Sequence, residues 1–403
     1  MSDFNGPGLY IHVPFCTHIC PYCDFSVLTG DRSWQDRYLT HLLLEIELLA
    51  DSGWPDLLRD PPQRLFETIY LGGGTPSMLP PRDLERLLEA VRSKLQVRDD
   101  VWLFLEANPE DVNADSVTAW REMGFRTISL GVQSFSQRSL SFLGRQHSPR
   151  IAKQSLDIAL EAGFDTVAMD LIYGLPGQTP MDWRRDLDQA LAAGPQHLSC
   201  YQLTVHPRTP FGFRQQRGEL VEMGNDEQAD LFLLTHHHLG NGGLPGYEVS
   251  NFAAGREHRS LHNQKYWTHA PYLGLGPSAH SFSGRRRWWN ARKIKGWMAP
   301  LGKGRLPIES HEELGAGSLV LERLMMGLRT YAGVDFADLP DGLGPALWES
   351  NRVTIERLVE SGLATIDRSR LQPTLDGLAV ADTLARSFDL GGLPEGKAGE
   401  SMR

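Results

Sequence analysis

Apolar residues along the first two hundred positions alternate between two spacings. Short runs rich in β-branched and aliphatic residues, GLYIHVPF, ETIYLGGG, VWLFLEAN, TISLGVQS, DTVAMDLIYG and HLSCYQLTV, read as strands, and each ends in small or polar residues. Between the runs the apolar positions repeat at three and four. Trp34, Tyr38, Leu42, Ile46 and Leu49, then Leu84, Leu87, Leu88, Val91 and Leu95, each mark one face of a helix. This alternation predicts a parallel βα barrel. In such barrels the C-terminal ends of the strands carry function, and Cys16, Gly73, Glu106, Gln133, Asp170 and Thr204 all fall there.

The pattern changes after Arg305. Helices at about 311–329 and 345–362, a hairpin-like LATIDRSRLQPTL and a short helix to Phe388 predict a small winged-helix-like domain. The closing DLGGLPEGKAGESMR has little to bury and is expected to be a mobile tail. The expected divisions are therefore 1–205, 206–305, 306–388 and 389–403.

Composition narrows the function classes. A chain of 403 residues exceeds what one core usually supports. A net charge of −10 argues against nucleic acid as a partner. Residues 305–388 hold eight Lys/Arg against thirteen Asp/Glu, the wrong sign for a phosphate backbone, so this domain reads as a lid or docking surface rather than a DNA reader. No window approaches about 18 uninterrupted apolar residues, and the first residues show no basic stretch followed by an apolar run. The expectation is a cytoplasmic protein with no membrane span. Its four cysteines, in a three-plus-one pattern, do not make a disulfide framework.

Three of those cysteines carry the chemistry. Cys16, Cys20 and Cys23, in HVPFCTHICPYCDF, place three thiolates within eight residues, one ligand short of a closed metal site. A cuboid [4Fe–4S] cluster held this way keeps one iron free; a zinc site recruiting His12 or His18 is the alternative. Cys200, in HLSCYQLTV, reads as a small buried hydrophobe. Gly72 to Ser77, GGGTPS, follows a strand, where glycines let backbone approach a ligand and expose its N–H groups. A plain tight turn explains it equally, and it lacks the GxGxxG spacing of a dinucleotide loop. Glu106 and Asp170 could instead cap helices, and Gln133 could satisfy a loop carbonyl.

The CxxxCxxC spacing and the residues after it resemble the radical S-adenosylmethionine (SAM) proteins. LYIHVPFC, GGGTPS, LEANPE, LGVQSF, LGR and DLIYGLPGQT are similar to the oxygen-independent coproporphyrinogen III oxidase-like branch, from Leu9 to about Phe388. The resemblance implies a partial (β/α)6 TIM-type barrel, the radical SAM core, with a C-terminal mainly α, winged-helix-like domain. It implies a [4Fe–4S] cluster on Cys16, Cys20 and Cys23 whose free iron chelates SAM. Tyr10, Gly73, Gly74 and Glu106 would then contact that SAM, and Tyr22 is the aromatic residue that precedes the last cysteine. Thr75, Gln133, Arg145 and Asp170 match positions used for a second SAM or nearby polar contacts, and Thr204 is grouped with them at the last strand end.

The chain departs from the true oxidases at Phe25, where their motif has a fourth cysteine. CPYCDF, HNQKYW at His262 to Trp267, and YLGLGPSAHSF at Tyr272 to Phe282 resemble instead the haem chaperones of the branch. This implies haem as a ligand, apo-haemoproteins such as respiratory haem enzymes as recipients, an electron donor for the cluster, and membrane contact only through partners. His262 would offer an imidazole to iron, Asn263 an amide, and Tyr266 and Trp267 aromatic surface; a hydrogen-bonded loop histidine is the plainer account. His280 is a second candidate by residue type. Arg285, Arg286 and Arg287 could meet haem propionates or be ordinary charged surface. His236, His237 and His238 lie on one helix and point apart. The other class of function is a radical SAM enzyme that decarboxylates a porphyrinogen, or a related methyltransferase.

Overall fold

The computed structural model describes residues 6–51, 65–391 and 397–398. The six strand runs form β1 (Gly8–Val13), β2 (Phe66–Gly73), β3 (Val97–Ala107), β4 (Phe125–Gln133), β5 (Thr166–Tyr173) and β6 (His197–Gln202), adjacent and parallel in that order. Their crossovers are α1 (Arg32–Asp51), α2 (Pro81–Lys94), α3 (Ala114–Glu122), then α4 (Gln137–Phe142) with α5 (Pro149–Glu161), and α6 (Pro180–Ala193).

Local chemistry sets the helix ends. Asn113 and Ser116 form a reciprocal capping box on α3, as Thr179 and Asp182 do on α6. α6 stops at Gly194, whose φ of 76° suits glycine. The two helical faces read from the sequence turn inward: Tyr38, Leu42, Ile46 and Leu49 of α1 and Leu84, Leu87, Leu88 and Val91 of α2 are buried against the sheet, with Trp34 partly covered. On α6, Trp183 is fully buried, stacks on Tyr173 and donates its indole N–H to Thr235 at 2.8 Å. Trp183→Ala should cost about 3–5 kcal/mol of unfolding free energy, readable in denaturant titrations; a loss under 1 kcal/mol would mean that this layer repacks.

Beyond β6 come α7 (Pro210–Gln216), α8 (Asn225–Asn241), β7 (Asn251–Ala253), α9 (Leu261–Trp267), β8 (Tyr272–Leu275), β9 (His280–Phe282), β10 (Arg286–Asn290), α10 (Ile294–Leu301) and β11 (Ile308–Glu313). β7 closes one side antiparallel to β6, while β8 joins β1 in parallel and leads into antiparallel β9, β10 and β11. The described pair Lys397–Ala398, β15 by chain order, aligns with β11; the rest of the tail expected after 391 lies outside the described residues. A fully buried carboxylate joins the added strands to α1. Glu45 accepts from Gly276 N–H at 2.9 Å, Asn290 at 2.6 Å and the Trp297 indole at 3.1 Å.

The C-terminal unit has its own core of Val320, Leu324, Phe336, Ile355, Leu371 and Phe388 among others. It comprises α11 (Ala316–Gly327), β12 (Val334–Asp335), α12 (Gly344–Ser350), α13 (Arg352–Glu360), β13 (Ala364–Asp367), β14 (Arg370–Pro373), α14 (Leu375–Ala379) and α15 (Ala381–Arg386), with a three-stranded sheet ordered β12-β14-β13. The helix expected at 345–362 breaks at Asn351, whose side chain bonds Leu347 and Asp389 backbone groups. No helix among the described residues is long and apolar enough to cross a membrane.

Candidate functional site

The C-terminal ends of β1 to β6 surround a cavity of about 410 Å³. Cys16, Cys20 and Cys23 lie at its mouth on the loop after β1, all partly exposed and none in a disulfide. The loop is tied down at both ends by Cys16 N–H to Leu28 O and Cys23 N–H to Cys20 O, 3.0 and 3.1 Å. Burial raises the Cys16 and Cys23 pKa values, Cys23 to about 11, so it is bound iron or another cation that would draw out the thiolates. Thr75 Oγ1 donates to Cys16 Sγ at 3.6 Å, and Arg145 Nη1 to Cys20 Sγ at 3.7 Å. Among the described residues no three His, Cys, Asp or Glu converge closely enough for a single metal ion; a cube takes each thiolate on a separate iron. Cys200 is 2% exposed within the main core and away from this cavity.

The glycine run serves a different end from the one expected. Gly73 N–H donates to Glu106 at 3.1 Å, Gly74 N–H to Val13 O and Thr75 N–H to Phe15 O, both 2.7 Å. These donors are spent on fixing the loop rather than left open. What glycine supplies is space: a Cβ on Gly73 would lie 2.4 Å from the His12 ring at a φ of 105°, and one on Gly74 2.5 Å from Phe15 O.

Two carboxylates at strand ends line the cavity, Glu106 on β3 and Asp170 on β5. Glu106 accepts from Tyr70 Oη at 2.7 Å, and burial first, then the nearby Asp170, lifts its pKa to about 7. Asp170 accepts from Ser129 at 3.3 Å and is raised by burial to about 6. Arg145 bonds Asn108 Oδ1 at 2.7 Å and Gly131 O at 2.9 Å, leaving a buried Nε without a partner. Gln133 holds a φ of 67°, a left-handed conformation unusual for a side chain of its kind, at the end of β4.

Nine of the ten residues expected around SAM line this cavity: Tyr22, Gly73, Gly74, Thr75, Glu106, Gln133, Arg145, Asp170 and Thr204. Tyr10 does not. It stacks on Tyr70, bonds His12 Nδ1 at 3.1 Å and borders an adjoining cleft of about 340 Å³. Sequence reasoning passed over Tyr70, Ser129 and Asn108; the last carries Thr75 and Arg145 on one amide, at 3.2 and 2.7 Å, and stood in the quoted LEANPE block.

HNQKYW forms most of α9, and its residues do not meet in one cavity. His262 is 1% exposed, with Nδ1 on Thr68 Oγ1 at 2.8 Å and Nε2 on Tyr266 Oη at 2.9 Å. Both ring nitrogens are thus engaged, and no lone pair faces solvent in this conformation. Tyr266 reaches the cleft beside Tyr10, while Trp267 borders a pocket against the C-terminal unit with its buried indole N–H unpartnered. Asn263 is half-buried near the start of α9. Arg285, Arg286 and Arg287 pair with Asp341, Glu313, and both Glu312 and Glu322 respectively. They hold strands and the C-terminal unit together rather than stand free for propionates. Burial would raise Glu322, yet bonds from His269 and Arg287 bring it down to about 2. As expected, the histidine run diverges: His236 is buried between Phe232 and Phe252, and His238 pairs with Asp188 at 2.7 Å.

The model of the Radical SAM superfamily matches residues 10–190, and that of the HemN C-terminal domain residues 318–380. The chain is 36% identical over 386 residues to the heme chaperone HemW of Mycobacterium tuberculosis, covering 94% of each chain, and 32% identical to that of Bacillus subtilis, covering 94% and 98%. HemW of Escherichia coli is 38% identical over 68% of this chain and 69% of its own. In structure the chain is similar to the coproporphyrinogen III oxidase HemN of E. coli, a radical SAM enzyme, with a TM-score of 0.80, 23% identity and coverage of 96% and 90%; this likeness speaks for the fold.

Proposed function

From the premise that this chain belongs to the HemW family of the radical SAM superfamily, we propose that it binds haem as cargo and hands it to apo-haemoproteins, with a [4Fe–4S] cluster on Cys16, Cys20 and Cys23 and SAM beside it. The observation that carries the reading is the convergence on one cavity of three thiols free of disulfides, the strand-end carboxylates Glu106 and Asp170, and the Arg145 guanidinium. The residues suit these groups. Three thiols without a fourth fit a cluster with one free iron, and the Arg145 guanidinium beside Cys20 offsets thiolate charge. Glu106 and Asp170, raised by burial, are the complement of a cationic ligand such as the sulfonium and ammonium of SAM.

When bound, the cluster supplies an electron and a site on iron for SAM. This chain's own residues bind and orient: Glu106 is held by Tyr70 and Gly73, Asp170 by Ser129, and the glycine loop brings bare backbone to the cavity wall. Tyr10 lies outside that wall, so its part is to support Tyr70 and His12. Haem contact is assigned to the HNQKYW helix through Tyr266, with His262 as the residue that positions the tyrosine; Trp267 and Asn263 complete the helix. Such a protein acts in a reducing compartment, the cytoplasm, with an electron donor and respiratory haem enzymes among its partners.

Anaerobic titration of the cluster-loaded protein with haem should give a saturable Soret difference band, and incubation with apo-haemoprotein should transfer it. The same preparation should leave coproporphyrinogen III unchanged. Catalytic oxidative decarboxylation, accompanied by 5′-deoxyadenosine, would replace the chaperone reading with the enzymatic one.

A further inference from the structure

The haem reading leaves the iron without a protein ligand, because His262 is sealed inside with both nitrogens bonded. The cleft next to the main cavity offers one. Two histidines border it. His12 is 6% exposed and spent, with Nδ1 on Tyr10 Oη at 3.1 Å and Nε2 on Ser26 O at 2.9 Å. His280 is exposed, and among the described residues its side chain makes no hydrogen bond. We infer that His280 is the axial ligand of haem iron, with the porphyrin seated in the cleft lined by Tyr10, Phe25, Tyr266, Tyr272, His280 and Arg292. This inference rests on the haem-binding reading above.

The imidazole is held for this task. Its ring stacks on Trp289 across the β9–β10 pair, centroids 5.6 Å apart and planes 24° apart, which fixes its plane and leaves its edge open. The turn before it is rigid: Glu45 grips Gly276 and Asn290, Gly276 takes a φ of 92° where a Cβ would lie 2.6 Å from His12 O, and Ser278 takes a φ of 63°. A ligand oriented by its surroundings binds metal more strongly than a free one.

The walls suit a flat, mostly apolar ring with acidic edges. Phe25 is 61% exposed, an apolar surface that water disfavours and a macrocycle would cover. Tyr266 and Tyr272 meet edge to face at 4.8 Å. The Arg292 guanidinium donates to Asp24 O at 2.9 Å and has no carboxylate partner among the described residues, leaving donors for a propionate. HNQKYW then acts from beneath: His262 orients Tyr266, which faces the porphyrin. Phe25 and Asp24 border both cavities, so the cargo would sit beside the cluster loop.

The test is titration of the cluster-loaded protein with ferric haem, read by difference absorption and by electron paramagnetic resonance with the cluster in its oxidised, silent state. His280→Ala should weaken haem binding at least tenfold and abolish the histidine-ligated signal. His280→Gly should recover that signal on adding imidazole, and His237→Ala, an exposed histidine on α8, should keep it; unchanged far-ultraviolet circular dichroism shows that the variants fold. A wild-type signal in His280→Ala would overturn the inference and leave the haem reading intact. If wild-type protein binds no haem, the reading of function falls with it.

Discussion

Replacing Cys16, Cys20 or Cys23 singly by alanine should remove the iron–sulfur absorbance and the acid-labile sulfide of anaerobically reconstituted protein, whereas Cys200→Ala should leave both. The three loop thiols share one cavity mouth and have no disulfide partners, while Cys200 is buried in the core on β6. With three ligands available, losing one leaves two irons without protein anchors. The loss should exceed the roughly 10–100-fold that removing an outer-shell partner costs a metal site. Arg145, bonded to Cys20, is such an outer partner, and Arg145→Met should show that smaller effect. Full sulfide content in any single loop mutant, or zinc in place of iron in the wild type, would remove the basis for the cluster.

Affinity for SAM should rise about tenfold between pH 6 and pH 8 and level off above, because a carboxyl with a pKa of about 7 goes from mostly protonated to mostly ionised over that interval. Glu106 is that group: burial, then Asp170, lifts it to about 7 against bonds from Tyr70 and the Gly73 N–H. Asp170, at about 6, adds to the lower part of the rise. The sign follows from charge. A cationic ligand binds the ionised pair, so binding at pH 6 must expel a proton that is already gone at pH 8. The ligand-free protein should show the opposite trend, losing stability as pH rises from the ordinary carboxylate range through about 7, since folding disfavours the charged form. Calorimetric titration of cluster-loaded protein at three pH values measures the first, and thermal melts the second. In Glu106→Gln the affinity should fall and most of the pH dependence vanish; an affinity flat with pH in the wild type would mean that Glu106 does not face the cation.

The site was legible where chemistry and chain order coincide. The CxxxCxxC loop, the strand-end glycines and Glu106, Gln133 and Asp170 follow from one rule, that each strand run ends in the residues it delivers to the barrel mouth. Tyr70 and Ser129 escaped notice because their role depends on which strand lies alongside: Tyr70 on β2 reaches Glu106 on β3, and Ser129 on β4 reaches Asp170 on β5. The glycine run was recognised as special, but whether its N–H groups face a ligand or the neighbouring cysteine loop depends on contacts with Val13 and Phe15.

HNQKYW shows the same boundary more sharply. Residue types alone leave His262 either a ligand or a bonded loop histidine, and Arg285 to Arg287 either anion binders or charged surface; burial against Thr68 and pairing with Asp341, Glu313, Glu312 and Glu322 favour the second of each. By itself the sequence determined the six parallel strands, the helical faces between them and the three-thiol loop, because periodicity and local spacing encode which side of an element is buried and which atoms lie within a few residues. Tertiary structure alone decided which histidine keeps a lone pair, which arginine lacks a carboxylate and which carboxyl holds its proton. Those properties belong to neighbours brought together from residues as distant as Thr68 and His262, and no local pattern records desolvation or a partner that far along the chain.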